Sequence, residues 1–290
     1  MGLRVVSLAS GSSANCTLVE ADDVRLIIDV GLSGRAVARE LEFLGLQASD
    51  LTAILLTHEH GDHVRGARAL AKRTKAPVVG TEGTLLATGV APNLAQVLPA
   101  GRQLRLGSIT ITSFSLPHDG CDPVGYFVEH EEGRVCLATD LGSAPGELEE
   151  YLRAADLAVV EANHDRQWLI NGPYPAMLKA RILGKRGHLS NDECADLVVR
   201  AASGRPQWLW LAHLSETNNS PRQAERCVRS RLAQEGITTV SVQVALRDRR
   251  SVSWHSGDCW QQLPFGTGTS IAPLPEVKEG LATAPWEVER

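Results

Sequence analysis

Three imidazoles and the carboxylate of Asp62 fall within six consecutive positions, His58-Glu59-His60-Gly61-Asp62-His63, one residue after the apolar run Ala53-Ile54-Leu55-Leu56. Imidazole nitrogen and carboxylate oxygen both bind divalent transition metals, so a buried strand that ends by presenting such side chains is suited to cations. If the chain turns tightly off the strand, His58 and His60 project toward one cation, while Asp62 and His63 face a second beside it. Two cations held about 3.5–4 Å apart activate a water between them, and the expected chemistry is hydrolysis. A solvated His-rich turn is the plain alternative. Asp62 and His63, in this register behind an apolar strand, weigh against it.

The elements that must position these side chains read as an α/β chain. Strand-like runs occur at 3–8, 16–20, 24–29, 76–79, 95–98, 103–106, 109–116, 124–129, 134–138, 157–160, 207–212, 238–242 and 252–254. Helical spacing is read at 34–44, from 63 to about 75, at 81–88, 146–154 and 192–201, and after Ser220-Pro221, with Ser190 or Asn191 as the N-cap of the 192–201 helix. Several strand ends carry ionisable residues: Asp29, then His118, Asp140, Glu161 and His213. Asp29 would hydrogen-bond to the metal-loop histidines or cap a neighbouring loop. His130, beside the turn Glu131-Glu132-Gly133, is expected at the surface.

With 290 residues, 43% of them hydrophobic, one large domain over residues 1–258 is expected, followed by a Pro/Gly/Thr-rich tail at 259–290. The net charge of -5 supplies no overall field for nucleic acid or anionic membranes, so any polyanion must meet a local basic patch. The richest such stretch holds Lys179, Arg181, Lys185 and Arg186. Six cysteines without Cys-x-x-Cys pairing argue against a zinc ribbon or disulfide framework and read mostly as core residues. No segment approaches the length of a membrane span, and the start shows no secretory pattern, so a cytoplasmic protein with no membrane partner is expected.

At His58-x-His60-x-Asp62-His63 the sequence resembles the metallo-β-lactamase superfamily. The resemblance implies a four-layer αβ/βα sandwich with metals at one edge between two sheets. It also implies a ligand set: His58, His60 and His118 on the first cation, Asp62, His63 and His213 on the second, and Asp140 bridging them. These donors suit Zn²⁺ or Mn²⁺, and Asp62 would orient the shared water or take its proton.

Cleaving a phosphodiester expels a poor alkoxide leaving group, which gains about 10²–10⁴-fold from a general acid opposite the attacking water. Glu161 and His188 suit a carboxylate-supported imidazolium. Glu161-Ala162 and Gly187-His188-Leu189-Ser190 look like the Glu-Ala-Thr and His-Ser-Thr motifs of the tRNase Z-like phosphodiesterases, in which that pair relays a proton to the leaving oxygen. The long exosite arm of that branch is missing here.

Together with 8–15 and 211–219, the stretches 161–165 and 187–191 are similar to the bacterial YycJ/WalJ family, a match running over roughly residues 3–245. That resemblance implies a stand-alone 5′-to-3′ exonuclease on single-stranded DNA or RNA, acting in DNA repair or replication, with two divalent cations, Mn²⁺ favoured over Zn²⁺. Ser10, Ser12, Ser13 and Asn15 then form either a phosphate-holding loop or an ordinary hairpin turn. His164 would bind a phosphate, approach the metals or pack in the core, and Ser215 and Asn218 fall in the last motif as substrate contacts. Lys179, Arg181, Lys185 and Arg186 would track the strand's phosphates, while Trp168 and Tyr174 read as core side chains rather than stacking platforms. The competing readings are a thioester or lactone hydrolase of the same fold and a non-catalytic regulatory module. The sequence leaves the oligomeric state open.

Overall fold

A computed structural model describes residues 2–258; the expected tail at 259–290 lies outside the described residues. The amino-terminal half supplies β1 (Arg4–Gly11), β2 (Ala14–Ala21), β3 (Val24–Ile28), α1 (Gly34–Phe43), β4 (Ala53–Leu55), α2 (Gly61–Val64), α3 (Ala67–Thr74), β5 (Val78–Gly80), α4 (Glu82–Thr88) and β6 (Ala95–Val97). There follow β7 (Gln103–Leu106), β8 (Ile109–Ser115), β9 (Val124–His130), β10 (Gly133–Ala138), α5 (Gly146–Ala154), β11 (Leu157–Glu161), α6 (Arg166–Asn171) and α7 (Ala176–Ile182). The chain closes with α8 (Asn191–Ala201), β12 (Gln207–Ala212), α9 (Pro221–Gln234), β13 (Val240–Val244) and β14 (Ser253–His255).

These strands form two seven-stranded sheets, β14-β1-β2-β3-β4-β5-β6 and β13-β12-β11-β10-β9-β8-β7. Alternation along each strand decides the layering, because successive side chains point to opposite faces. Val5, Val19, Leu26 and Leu55 meet Tyr126, Val128, Val135, Val159 and Trp210 between the sheets. The other face of the first sheet sends Leu8, Leu18, Ile27 and Ile54 against Val37, Leu41 and Leu70 of α1 and α3. On the far side, Cys136, Ala158, Val160, Leu209 and Leu211 lie under Leu148, Leu197 and Val228 of α5, α8 and α9. The result is the expected four-layer sandwich. Strands β4 and β11, covered on both faces, are buried at every position.

Strands β10, β11, β12 and β13 run parallel in register, pairing Ala138 with Val160, Glu161 with Ala212 and Leu211 with Val244. Their carboxyl ends therefore share one edge, where the crossover connections leave an opening. The hairpin of β1 and β2 reaches the same edge through a bridge between Gly11 and Leu214.

Several local expectations are corrected. The helix expected from 63 to about 75 is two helices, and it begins earlier, so Asp62 and His63 lie in the helical turn α2 rather than in a loop. The break falls at Gly66, where a Cβ would lie 2.1 Å from the carbonyl oxygen of Leu32, so only glycine lets these backbones touch. His130 is buried, not at the surface, with Nε2 3.3 Å from Oδ2 of Asp22. Trp168 is 46% exposed rather than a core side chain. The closing strand falls at Val240–Val244, two residues later than expected. Ser190 caps α8 as expected, in a reciprocal pair with Glu193.

Candidate metal centre

The strand ends bring the seven expected ligands together. His58, His60 and His118 offer nitrogens that all lie within 4.8 Å of one another, as do the donors of Asp62, His63 and His213, and those of His58, His63 and Asp140. Nε2 of His63 is 3.0 Å from Oδ2 of Asp140 and 3.4 Å from Oδ2 of Asp62, the atom that also lies 3.3 Å from Nε2 of His213. Asp140 therefore stands between the two groups of histidines.

The outward nitrogens explain how the rings are held. His63 Nδ1 meets Asp29 Oδ2 at 2.7 Å, and His213 Nδ1 meets Glu161 Oε1 at 2.8 Å. Nδ1 of His118 reaches the carbonyl oxygen of Gly187 at 3.0 Å, and that of His58 reaches Thr57 Oγ1 at 3.0 Å. Each contact turns Nε2 inward, the arrangement by which outer partners orient metal-binding imidazoles. Among the described residues, His58 Nε2 is buried and forms no hydrogen bond. Such a group costs about 1–3 kcal/mol when left unsatisfied, and a cation beside it would remove that cost. The residues present fit divalent cations.

Charge balance points the same way. Burial opposes ionisation of Asp62 and Asp140, but contacts with His213 and His63 outweigh it, so both carboxyls are held well below the usual range. Burial also opposes protonation of His213, yet Asp140, Asp62 and Glu161 raise it to about 10. His63 is raised in the same sense by Asp29 and Asp140. Buried carboxylates thus hold protons on two ligand rings, and a cation supplies the same positive charge more directly. His58, by contrast, is pushed well down by burial and by neighbouring His63, into the neutral form a ligand needs.

Close backbone contacts build the edge. A Cβ on Gly31 would stand 1.8 Å from the carbonyl oxygen of Asp62 and 2.6 Å from the nitrogen of Asn15, so the hairpin, the β3 end and the metal loop meet there. Asp29 accepts from the backbone N–H of Thr57 at 2.9 Å and from its hydroxyl, which fixes the first residue of the metal loop.

His188 lies beside this cluster with its side chain 19% exposed. Its Nδ1 is 2.8 Å from Glu161 Oε1, the same oxygen that meets His213. The other Glu161 oxygen accepts from the N–H groups of Leu141 and Leu189 at 3.0 and 3.2 Å. Burial works against the His188 imidazolium, but the Glu161 carboxylate outweighs it and the pKa is raised. Glu161 itself is held down to about 2, burial being outweighed by His188 and His213.

The expected substrate contacts divide into groups. Ser10 and Asn15 belong to strands and brace the cluster: Ser10 Oγ accepts from the N–H of His213 at 2.9 Å, and Asn15 Nδ2 lies 2.9 Å from His63 Nε2 and 3.3 Å from Asp62 Oδ2. Ser12 and Ser13 form the exposed turn beyond. His164 and Asn218 are buried, and neither their ring nor amide atoms make hydrogen bonds among the described residues. Ser215 Oγ accepts from the N–H of Asn218 at 3.1 Å. Arg181 pairs with Asp119 and Arg186 Nε donates to the carbonyl of His118 at 2.8 Å, while Lys179 Nζ is tied to the carbonyl of Ile170 at 2.7 Å and Lys185 is exposed.

Sequence reading passed over two members of the site. Asp119 Oδ1 lies 3.3 Å from His118 Nε2 and 3.7 Å from His60 Nε2, linking the first metal group to Arg181; its only signal was adjacency to His118. Asn163 Nδ2 donates to the carbonyl of His213 at 2.9 Å, which parallel pairing of β11 and β12 makes possible.

The Beta-lactamase superfamily domain profile matches residues 24–214. The chain is 32% identical over 242 residues to an exodeoxyribonuclease, YycJ, of Bacillus anthracis, covering 82% of this chain and 92% of that protein. It is 34% identical over 244 residues to an exodeoxyribonuclease, WalJ, of Streptococcus pneumoniae, covering 82% and 91%. Among solved structures, the metallo-β-lactamase fold protein YhfI from Bacillus subtilis has a TM-score of 0.64 at 18% identity, covering 87% of this chain and 99% of that one. That structural likeness bears on the fold alone.

Proposed function

This chain belongs to the metallo-β-lactamase superfamily and, within it, to the family of the YycJ and WalJ exodeoxyribonucleases, and from that premise we propose a dimetal phosphodiesterase that removes nucleotides from the 5′ end of single-stranded DNA or RNA. Mn²⁺ is the favoured metal, Zn²⁺ the alternative, and DNA repair or replication the setting. Five described cysteines are free thiols, which suits the reducing cytoplasm.

The observation that carries this reading is the branched contact of Glu161, whose Oε1 meets Nδ1 of an expected metal ligand, His213, and Nδ1 of His188, a side chain outside the sets His58-His60-His118 and Asp62-His63-His213 although it offers a nitrogen within 4.8 Å of donors of Asp140, Glu161 and His213. A thioester hydrolase, whose thiolate departs without a proton, has no task for such a second imidazole. With Nδ1 committed to Glu161, His188 has Nε2 left to hold a proton for the leaving oxygen. Asp62, with 20% of its side chain exposed against 2% for Asp140, would take the proton of the attacking water. Divalent cations, when bound, supply Lewis acidity and lower the pKa of water. Lys179, Lys185 and Arg186 supply local positive charge for the phosphate chain, and His164, Ser215 and Asn218 lie along the loops beside Glu161 and His213.

The test is a digestion time course on single-stranded DNA labelled at one end, bearing a 5′-phosphate or a 5′-hydroxyl, with Mn²⁺ and with chelator. Mn²⁺-dependent release of mononucleotides from the 5′ end is expected. A metal-loaded protein that leaves DNA and RNA intact but hydrolyses a thioester or lactone would overturn the proposal.

A further inference from the structure

Six large hydrophobic side chains are exposed among the described residues, and three of them, Trp168, Ile170 and Met177, lie on α6 and α7 at 46%, 44% and 86% exposure. Single exposed apolar residues need no explanation, but these fall within ten positions of one another. Helix α7 buries none of its residues, although Met177, Leu178 and Ile182 are apolar. A helix that covers no core must be held by polar contacts. Lys179 Nζ donates to the carbonyl of Ile170, Arg181 pairs with Asp119, and Arg186 Nε donates to the carbonyl of His118. Two of these contacts end on the loop that carries a metal ligand. The arm also ends against the Asp140 loop, since a Cβ on Gly142 would lie 2.3 Å from the nitrogen of Gly187.

The charge of this arm is one-sided. Between Arg166 and Asn191 the sequence holds Arg166, Lys179, Arg181, Lys185 and Arg186 and no Asp or Glu, within a chain of net charge -5. Exposed apolar side chains together with cations, one of which, Arg181, is paired with Asp119, on an arm whose contacts reach the loop of His118, have the chemistry of a single-strand cradle: aromatic and apolar surface for base faces, cations for phosphates. A duplex hides its base faces and gains only the second.

We propose that α6 and α7 form the platform on which unpaired bases of the strand entering the metal centre rest, with Trp168 and Met177 against the bases and Arg166, Lys179 and Lys185 along the phosphates. The platform makes the protein selective for single strands. This rests on the nuclease reading.

The test measures binding of a labelled oligothymidylate in chelator by fluorescence anisotropy, alongside a duplex and a strand carrying abasic sites. Base stacking on an aromatic side chain predicts that Trp168→Ala weakens single-strand binding about 5- to 100-fold. Trp168→Phe should restore most of that loss, which separates stacking from misfolding. Abasic sites should weaken binding to the unaltered protein and cost little more in Trp168→Ala, a readout that does not depend on the variant alone. In cleavage assays the KM for the oligonucleotide should rise far more than kcat falls. The platform is wrong if Trp168→Ala/Met177→Ala binds single strands as tightly as the unaltered protein while that protein still cuts DNA, or if duplex binding falls equally. It is also wrong if light scattering shows a dimer that the double variant dissociates, since a second copy then covers the face. If the unaltered protein binds neither DNA nor RNA, the nuclease reading itself has failed and the platform with it.

Discussion

Replacing Glu161 by Gln keeps its volume and removes one charge from a fully buried position. Four donors surround the carboxylate: Nδ1 of His188 and of His213, both at 2.8 Å, and the N–H groups of Leu141 and Leu189 at 3.0 and 3.2 Å. An amide offers one acceptor oxygen and one donor NH₂, so in either orientation two of these donors face a donor. With the oxygen toward the backbone, both Nδ1 atoms must become acceptors, and the hydrogen of His213 moves to Nε2, the atom turned toward the metal. In the other orientation the N–H groups that anchor the Asp140 and His188 loops are left unpaired, at about 1–3 kcal/mol each. Disturbing a ligand's outer partner lowers metal affinity about 10–100-fold, and losing a supported general acid lowers the rate about 10²–10⁴-fold. We expect Glu161→Gln to show both losses and His188→Ala only the second, with metal content unchanged. Equilibrium dialysis with elemental analysis reads the first, and oligonucleotide cleavage across a Mn²⁺ titration reads the second. A p-nitrophenyl phosphodiester, whose leaving group departs without a proton, should recover most of the His188→Ala deficit but not the weak metal binding of Glu161→Gln. Wild-type metal affinity and cleavage in Glu161→Gln would refute the reasoning.

Three further outcomes are expected. Gly31→Ala would place its Cβ 1.8 Å from the carbonyl oxygen of Asp62, so metal binding should collapse along with a lowered melting temperature; full metal content in a folded variant would contradict the close approach. Asp29→Asn removes the charge that holds His63 Nδ1 at 2.7 Å, and metal affinity should fall about 10–100-fold by calorimetric titration while the fold survives by circular dichroism. Metal affinity should also rise with pH: buried carboxylates raise His213 to about 10 and His63 above its ordinary value, so near neutrality the metal-free rings carry protons that a cation must displace. Titrations in buffers of different ionisation enthalpy would read proton release, and an affinity independent of pH between 6 and 9 would count against it.

The fold and the clustering of the expected ligands were legible because His58, His118, Asp140 and His213 stand at or just past the ends of apolar runs, and the period of such runs is written locally. His58 follows Leu55 and Leu56, and His213 follows a strand whose last four residues are buried. The double role of Glu161 was not legible, since it depends on the parallel register that pairs Glu161 with Ala212 and so sets it beside His213. The break at Gly66 is set by the backbone of Leu32, far away in sequence. Trp168 misled for a related reason: an aromatic residue in a helix reads as core, and only the packing shows that α6 buries Leu169 while Trp168 stays 46% exposed among the described residues. For His130 the polar turn next to it was visible, but the Asp22 that meets it from another strand pair was not.

The backbone at the strand ends shows why the ligands cluster. Asp29, Asp140 and His213 adopt left-handed conformations, with φ of 60°, 63° and 54°, on or just past the ends of β3, β10 and β12. Such a residue costs about 1–3 kcal/mol relative to an ordinary conformation, less for Asp and His than for branched side chains. Three of them at one edge, drawn from both sheets, are held there by surrounding contacts: the N–H of Asp29 donates to the carbonyl of Leu55 at 2.8 Å, and that of His213 to Ser10 at 2.9 Å. A strand that simply continued would send these side chains into one layer or the other. The left-handed turn swings them into the space between the sheets instead, where Asp29 meets His63, and Asp140 and His213 lie 3.4 Å apart. The strain at these three positions is therefore the local cost of converting two separate sheet edges into one metal centre, and the ion pairs that offset it are the ones that set the metal-binding nitrogens inward.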